Sequence, residues 1–557
     1  MRSSFFEFNV AMSGLFTSRA NLNIIGHNIS NAGIHGYSRQ VGFQGATRPM
    51  PLFNGKGMVG TGSDIFGIGQ IRSVYLDRKY WTELGILGEY TTKSVHMNQM
   101  QNNMMMQFSH ELDKTGINSA FDAFFATLQD LSGSANELTY RTNAIQTANS
   151  IVSMINTMAT GFQKQQRDIN AEVASMIVQV NSIGQKICSI NQQIYKYELD
   201  GSNANDLRDE RARLVDTLSQ FININVDELD YGTPEKPNDK RYVIQINGYD
   251  FVNHFTVKPL EVRERVDDNT TSPPSFAYKN EMDVGNLYDI YFSNTNVKFD
   301  LYHPNLKGEL KGLIDVRDGT GTGIDANGNK TSEFKGIPYY MEKLNQLVRT
   351  FAQAINEGAH GQTGHIYGYN LNEVRRGTLF FTYDTLDKTI PTETFIDFSA
   401  YPPLTPIPLP TPPATTYFDY SKINALNFIV NPELLQQPEL LNCTMIYGHG
   451  ESSNDLIMNL INVANDPNLF KEGKLSDFII SITGDLGIEL QHAERFESYY
   501  SEMAVSIDNQ RISISGVDLN EEMINMIRNQ QIYQAAGRLI NVIDDIYNFT
   551  INRLGNF

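Results

Sequence analysis

Both ends of this chain carry apolar residues at alternating steps of three and four, the spacing of a helix built to pack along another helix. Near the start the seam runs Phe8, Ala11, Leu15, Ser18, Leu22, Ile25, Ile29. Near the end Met526, Tyr533, Ile540, Tyr547 and Leu554 recur every seventh position, with Ala536 and Ile543 between them. Such narrow seams predict that the terminal helices pair with each other or with neighbouring subunits. Isolated helices with so little apolar surface lack a stable partner face, so they are expected to order only on assembly.

The 557 residues between and including these seams exceed what one core can serve, and they predict roughly three to four domains. A hydrophobic content of 41% is enough for several packed cores. The formal charge of −19 argues against nucleic acid, which needs a basic face, and against docking on an anionic membrane surface. No stretch approaches the roughly 18 uninterrupted apolar residues of a membrane span, so no membrane insertion is expected. Two cysteines, Cys188 and Cys443, cannot form a disulfide framework, and two free thiols are expected. Residues 1–50 hold Arg2, Arg19, Arg39 and Arg48 against a single acid, Glu7, and show no charged leader with an apolar block and cleavage site. An uncleaved export signal that doubles as an assembly helix fits that composition and the seam together.

Residues 5–30 read as one amphipathic helix, stopped at Asn31-Ala32-Gly33 and Gly36. Residues 40–72 read as loop with short extended pieces, and 74–131 as helix, with Phe121, Phe124, Phe125 and Leu128 on one face of its last segment. Residues 139–200 read as a long helix or helical hairpin interrupted near Gly161. A charged helix over Asp206–Phe221 alternates Arg with Asp and Glu, which predicts a solvated face. Period-two patterning around Asn247-Gly248 predicts a hairpin from 242 to 257, and Tyr288–Leu301 a second pair of strands. Helices are expected again over 339–355, 454–463 and 477–507. Between them, 402–413 holds seven of the chain's 20 prolines, which predicts an extended spacer or irregular loop.

This order predicts a multidomain α+β chain with paired N- and C-terminal coiled-coil helices, a helical-bundle domain and an inserted β-rich outer domain. The division would be 1–38 with 515–557; 39–221 with 305–360 and 450–514; and 222–304 with 361–449.

No motif supports catalysis, a cofactor or a metal. Gly55-Lys56-Gly57-Met58-Val59-Gly60 has dinucleotide-turn spacing but lacks the strand before it and the helix after it. The run from Gly323 to Thr331 misplaces the P-loop lysine by one residue. As a calcium loop, Asp325 and Asn327 have the glycine too early and no bidentate Glu, so a surface turn is expected. His110-Glu111 has Lys114 where a zinc site needs its second histidine, and His449, Glu451 and Ser452 lack a nucleophile turn. Met97, Met100, Met104, Met105 and Met106 at helical spacing read as adaptable core rather than copper ligands.

The helix exit is more informative. Asn28, Asn31, Gly36, Tyr37 and Arg39 follow the pattern Asn-x-x-Asn-x-x-x-x-Gly-Tyr-x-Arg, which resembles the N-terminal element of the bacterial flagellar rod, hook and hook-associated axial proteins. Ile34-His35 replace the Thr-Pro usual in that family. Ser38-Arg39-Gln40, Asn205–Val215 and Gly308–Asp318 are similar to the hook-associated branch, and Ser515–Ala536 looks like the family's C-terminal element. Residues 365–450 match no pattern.

The resemblance implies a non-enzymatic ring, about eleven copies by the family's helical lattice, joining hook to filament. It implies as partners the hook protein, a second junction protein on the filament side, and an export chaperone on the C-terminal helix. It also implies export through the flagellar type III channel to an extracellular position. The alternatives are a hook or distal-rod protein, which should lack the helices at 139–221, and a peptidoglycan-cutting accessory enzyme, which needs a carboxylate or metal site in a cleft.

Overall fold

The computed structural model describes residues 6–51, 57–108, 116–199, 201–231, 240–266, 279–293, 297–371, 377–385, 392–396, 418–446 and 453–553. The proline-rich run 402–413, Gly55, Lys56, His110, Glu111, Lys114, His449, Glu451, Ser452 and Leu554 lie outside them, as do the side chains of Met105 and Met106.

Helix α1 (Phe6–Asn31) leads into strand β1 (Gln40–Ala46), the two-residue pair β2 (Met50–Pro51) and β3 (Met58–Val59), and β4 (Ser63–Gln70). β1 and β4 form an antiparallel ribbon with a register shift between Gly42 and Gln44. Four helices follow: α2 (Val74–Phe108), α3 (Ile117–Gly133), α4 (Leu138–Glu198) and α5 (Asn205–Phe221). Strands β5 (Asn225–Asp230), β6 (Lys240–Ile246), β7 (Tyr249–Asn253) and β8 (Thr256–Val257) make a sheet in chain order, and β9 (Leu260–Glu264) pairs with β10 (Tyr288–Phe292). Next come α6 (Glu309–Asp318) and α7 (Ile337–Asn356). Of the next strands, β11 (Gly377–Thr378) and β12 (Phe381–Tyr383) pair respectively with β13 (Phe395–Ile396) and β14 (Phe428–Val430). The chain closes with α8 (Pro432–Gln436), α9 (Asp455–Asn462), α10 (Leu475–Ser515) and α11 (Leu519–Arg553).

The spine is α4, 61 residues and therefore about 90 Å long. Its buried side chains recur from Ile145 to Ile194, and it touches α2, α3, α5, α6, α7 and strands of both β segments. The expected break near Gly161 does not occur. Met158, Ala159 and Phe162 flank that glycine in the core, and their burial outweighs the roughly 1 kcal/mol that a helical glycine costs. α10 packs along α2, and α2 lies on α5 and α6. The approach of α6 is close enough that a Cβ on Gly312 would sit 2.6 Å from the Glu89 carbonyl oxygen, so only glycine fits there. Met97, Met100 and Met104 are core residues, as their spacing predicts.

Two strand expectations need correction. The segment 249–257 is split by a turn at His254, which has φ 52°. Among the described residues of Tyr288–Leu301 only β10 is a strand; its ladder partner is β9, and the returning chain meets it at the isolated bridge Tyr291–Lys298. The terminal helices α1 and α11 pack against each other within one chain, the first of the two pairings their seams predict.

Charges are buried where the elements meet. The fully buried Arg265 donates to Asp289 (3.0 Å) and Asp318 (2.6 Å), while Arg317 donates to Asp318 (2.8 Å) and to Asn170 on α4 (2.9 Å). Burial alone would raise the Asp318 carboxyl, but the two guanidiniums hold it well below the usual carboxylate range. Asp318→Ala leaves Arg317 with no carboxylate partner and Arg265 with Asp289 alone, so it should cost about 3–5 kcal/mol, read as a lower urea midpoint. An unchanged midpoint would show that the network carries no weight.

His365 is buried and held from both sides: Nδ1–H donates to the Thr378 carbonyl (2.7 Å) and Nε2 accepts from the Asn442 amide (2.9 Å). Burial pushes its pKa down to about 4. The unfolded chain, near 6.5, takes up a proton first, so this contribution is complete above pH 6.5 and is lost as pH falls toward 4. At pH 5 the expected loss is about 2 kcal/mol relative to pH 7. His365→Gln should flatten that slope in urea titrations; an equal slope in the variant would remove His365 as its source.

Candidate functional site

Two features are left for function: the paired terminal helices and the short connection that ties them to the body. On α1, the side chains of Ser13, Thr17 and Asn21 bond to the β1–β4 ribbon through Ser63 and Gln44. The neighbouring row Ala11, Ser18, Ile25 is buried, whereas Phe8, Leu15, Leu22 and Ile29 are half-covered. α11 lies along α1, with Ile543 buried and Met526, Ala536, Ile540 and Tyr547 half-buried; Tyr533 is 38% exposed. Leu554 is outside the described residues. The end of α1 meets the start of α11, so the pair is antiparallel.

α11 also carries a second apolar seam that α1 does not cover. Ile532, Ala535, Leu539, Val542, Ile546 and Phe549 follow the same three–four alternation, and the four from Leu539 onward are each about half exposed (49–55%).

The connection is built from the Asn28–Arg39 element. The buried Asn28 accepts from the Gln40 amide (2.9 Å) and donates to the Gln40 carbonyl (2.9 Å), so its side chain acts as a piece of β-ladder. Its oxygen also accepts from the Tyr37 hydroxyl (2.8 Å), which lies 2.9 Å from His27 Nδ1. Burial, then Asp206 and Asp209, raise the Tyr37 hydroxyl above its usual range, so it stays a donor. Asn31 donates to the His27 carbonyl and closes the last turn. Gly36 has φ +77°, and a Cβ there would strike the Arg213 side chain at 2.8 Å.

Past that turn the chain is clamped twice. The Ser38 amide and hydroxyl both donate to Asp209 on α5 (2.8 and 2.7 Å). Arg39 forks: Nε to Glu522 (2.7 Å), both Nη atoms to Glu521 (3.0 and 2.8 Å), and its amide to the Ser515 carbonyl (2.8 Å). The N-terminal element, the α5 helix and the start of α11 therefore meet in one place. Behind them Arg511, at the end of α10, donates to Asp77 (2.9 Å) and Asp216 (3.1 Å), and lies over the Tyr80 ring. Arg72 joins Asp77 (2.7 Å) to Asp209 (3.3 Å), and Trp81 Nε1 donates to Asp216 (2.6 Å). Burial pushes the Asp216 carboxyl up, opposed by Arg511 and Trp81. A crevice of about 280 Å³ opens between Gly33–Ser38 and the α10–α11 turn, with His35 reaching Asp508 across it (3.2 Å).

Sequence reading placed Asn28, Asn31, Gly36, Tyr37 and Arg39 correctly together but missed Arg72, Asp77, Trp81, Asp209, Asp216 and Arg511. The charge alternation on α5 misleads, because Asp209 and Arg211 face inward rather than to solvent. The one available signal was Trp81, the chain's single tryptophan, beside Asp77 on α2. Among the described residues no three His, Cys, Asp or Glu side chains are placed to hold a metal, and no helix is long and apolar enough to cross a membrane. Cys188 and Cys443 are separate buried thiols.

Arg511→Ala removes the shared partner of Asp77 and Asp216. The expected result is a loss of about 3 kcal/mol or more and red-shifted native Trp81 emission. Unchanged emission and stability would mean that Arg511 does not hold α10 to the body.

Residues 102–381 match the family described as flagellar hook-associated protein FlgK helical domain, and 508–554 match flagellar basal body rod FlgEFG protein C-terminal. The chain is similar to flagellar hook-associated protein 1 of Bacillus subtilis, 26% identical over 563 residues, covering 100% of this chain and 99% of the relative. The proteins of that name from Salmonella typhimurium and Escherichia coli are each 22% identical, covering 98% of this chain and 99% of theirs. The flagellar hook junction protein FlgK of Burkholderia pseudomallei shares the fold, with TM-score 0.56 and 12% identity over 79% of this chain and 100% of that one.

Proposed function

We infer from one premise, that the chain belongs to the flagellar hook-associated protein FlgK family, how its termini work. The chain is a structural protein of the bacterial flagellum, a hook–filament junction component and not an enzyme. The match over 102–381 is to a hook-associated domain, while 508–554 is the part shared with rod and hook proteins, so the hook and distal-rod alternatives are less well supported.

The finer reading is ours. Residues 1–38 and 515–557 form the assembly unit, 39–221 with 305–360 and 450–514 the helical body, and 222–304 with 361–449 the outer part. Copies join in a ring of about eleven, in contact with the hook protein on one side and a second junction protein on the other. Phe8, Leu15, Leu22, Ile25, Ile29, Met526, Tyr533, Ile540, Ile543 and Tyr547 form the pairing seam, and Asn28, Asn31, Gly36, Tyr37 and Arg39 its fixed exit. The chain leaves the cell unfolded through the flagellar type III route, with a chaperone on the C-terminal helix.

The observation that carries this reading is the outer seam of α11, where Leu539, Val542 and Ile546 stay about half exposed among the described residues. In a deletion strain, electron microscopy should find hooks without filaments, with flagellin lost to the medium. Complementation by Val542→Asp should fail while the purified variant keeps its fold, because Val542 faces outward. Ile543→Asp should fail and also loosen α11 in the monomer, read by faster proteolysis of the C-terminal end. Missing hooks in the deletion would move the protein to the rod or hook, and normal filaments with Val542→Asp would remove the outer seam from assembly.

A further inference from the structure

A cavity of about 470 Å³ lies in the body, away from the terminal helices, between α4, the turn at 280–283, the loop at 320–326 and the first turns of α7. Its floor is apolar: Met282, Ile337 and Met341 are buried core side chains. Its charge is one-sided, with Glu281, Asp283, Asp325 and Glu342 on the lining against one cation, Lys343.

Most of these groups are already engaged. Lys343 is bonded to Glu472 (2.9 Å) and Glu281 to Arg349 (2.8 Å). Asp283 accepts from the Lys279 and Asn280 amides and from Gln166. Asp325 is different. Its Oδ1 accepts from the Asn327 and Asn329 amides (2.9 and 2.8 Å), which fixes the side chain, but its Oδ2 is buried and has no partner. Asp325 is only 5% exposed, and Ala326 next to it is pinned by its amide to the Lys279 carbonyl (3.0 Å). Glu342, on the exposed rim, accepts from Asn345 Nδ2 (3.5 Å) and stands 3.8 Å from Arg349.

A buried carboxylate oxygen without a donor is costly, and a charged donor satisfies it best. An apolar floor beneath it suits a methylene stem. We propose that this cavity binds a guanidinium or ammonium group on an alkyl chain, with the charged tip at Asp325 and Glu342 and the stem on Met282, Ile337 and Met341. Such a group could be presented by an arginine or lysine side chain or by a free alkyl polyamine. This site is independent of the assembly role.

The test uses the full chain and three probes in calorimetric titration: agmatine, the neutral analogue butylurea, and the tripeptide Gly-Arg-Gly. Saturable agmatine or tripeptide binding is expected, with butylurea weaker by about tenfold or more. Asp325→Asn keeps the Oδ1 turn and should weaken the cationic probes by about the same factor. Gln346→Trp, which fills the cavity from its rim, should abolish binding at an unchanged thermal midpoint. Tighter binding of the tripeptide would assign the cation to a protein side chain, and tighter agmatine to a free polyamine. No saturable binding, equal binding of butylurea, or undiminished binding by Asp325→Asn would overturn the site.

Discussion

A helix can give only one face to a single partner, and α11 has apolar residues on two. α1 covers the row through Met526, Ile540 and Ile543, and the ribbon occupies the next face of α1, so Leu539, Val542 and Ile546 stay about half exposed among the described residues. An exposed apolar stripe of this kind is the surface on which the proposed contacts between molecules rest. This constraint explains why α11 is long, thin and poorly buried, while α4, of similar periodicity, is enclosed by α2, α3, α5, α6, α7 and strands of both β segments. The same heptad rhythm gives a core in one context and a docking surface in the other; what differs is how many faces the chain itself covers.

A paired helix that projects from a body transmits force only if its root is fixed. Here the root is made mostly of charge. Arg39 grips the first turn of α11 while Ser38, one residue earlier, grips α5 through Asp209. Two arginines, Arg72 and Arg511, then tie α2, α5 and α10 into the same network. Apolar contacts are non-directional and tolerate rotation, whereas bidentate guanidinium–carboxylate pairs fix an angle. The aspartates are buried, so solvent and salt screen the pairs little.

The fold was legible where one physical signal dominated. Helix boundaries at α1, α5 and α7 follow from periodicity and stop signals, and the Asn247-Gly248 turn follows from its demand for positive φ. Legibility failed where tertiary burial overrode a local rule. Gly161 reads as a break in isolation, yet Phe162 and Met158 are held in the core and the helix continues. Arg and Asp alternating on α5 read as a wet surface, and only the arrival of Ser38 from 171 residues away makes Asp209 an interior partner. The candidate site was half visible for the same reason. Asn28, Tyr37 and Arg39 sit in one short stretch with unusual composition, while Asp77, Asp216 and Arg511 are ordinary charges in three separate helices until the fold brings them together.

The choice of charge over apolar packing at this root also keeps the root from competing with the half-exposed seam of α11. An exposed apolar hinge would attract the uncovered seam of α11 from its own or another copy, and the two surfaces would compete for one partner. Arg39, Asp209 and Arg511 offer an apolar helix nothing, since burying any of them against Leu539 or Ile546 would strand a charge without a counterion. Each surface therefore rejects the other's partner: the root closes only on its matching carboxylates, and the seam only on another apolar face. That separation lets one chain fix the angle of its arm internally while the arm's outer face stays half exposed.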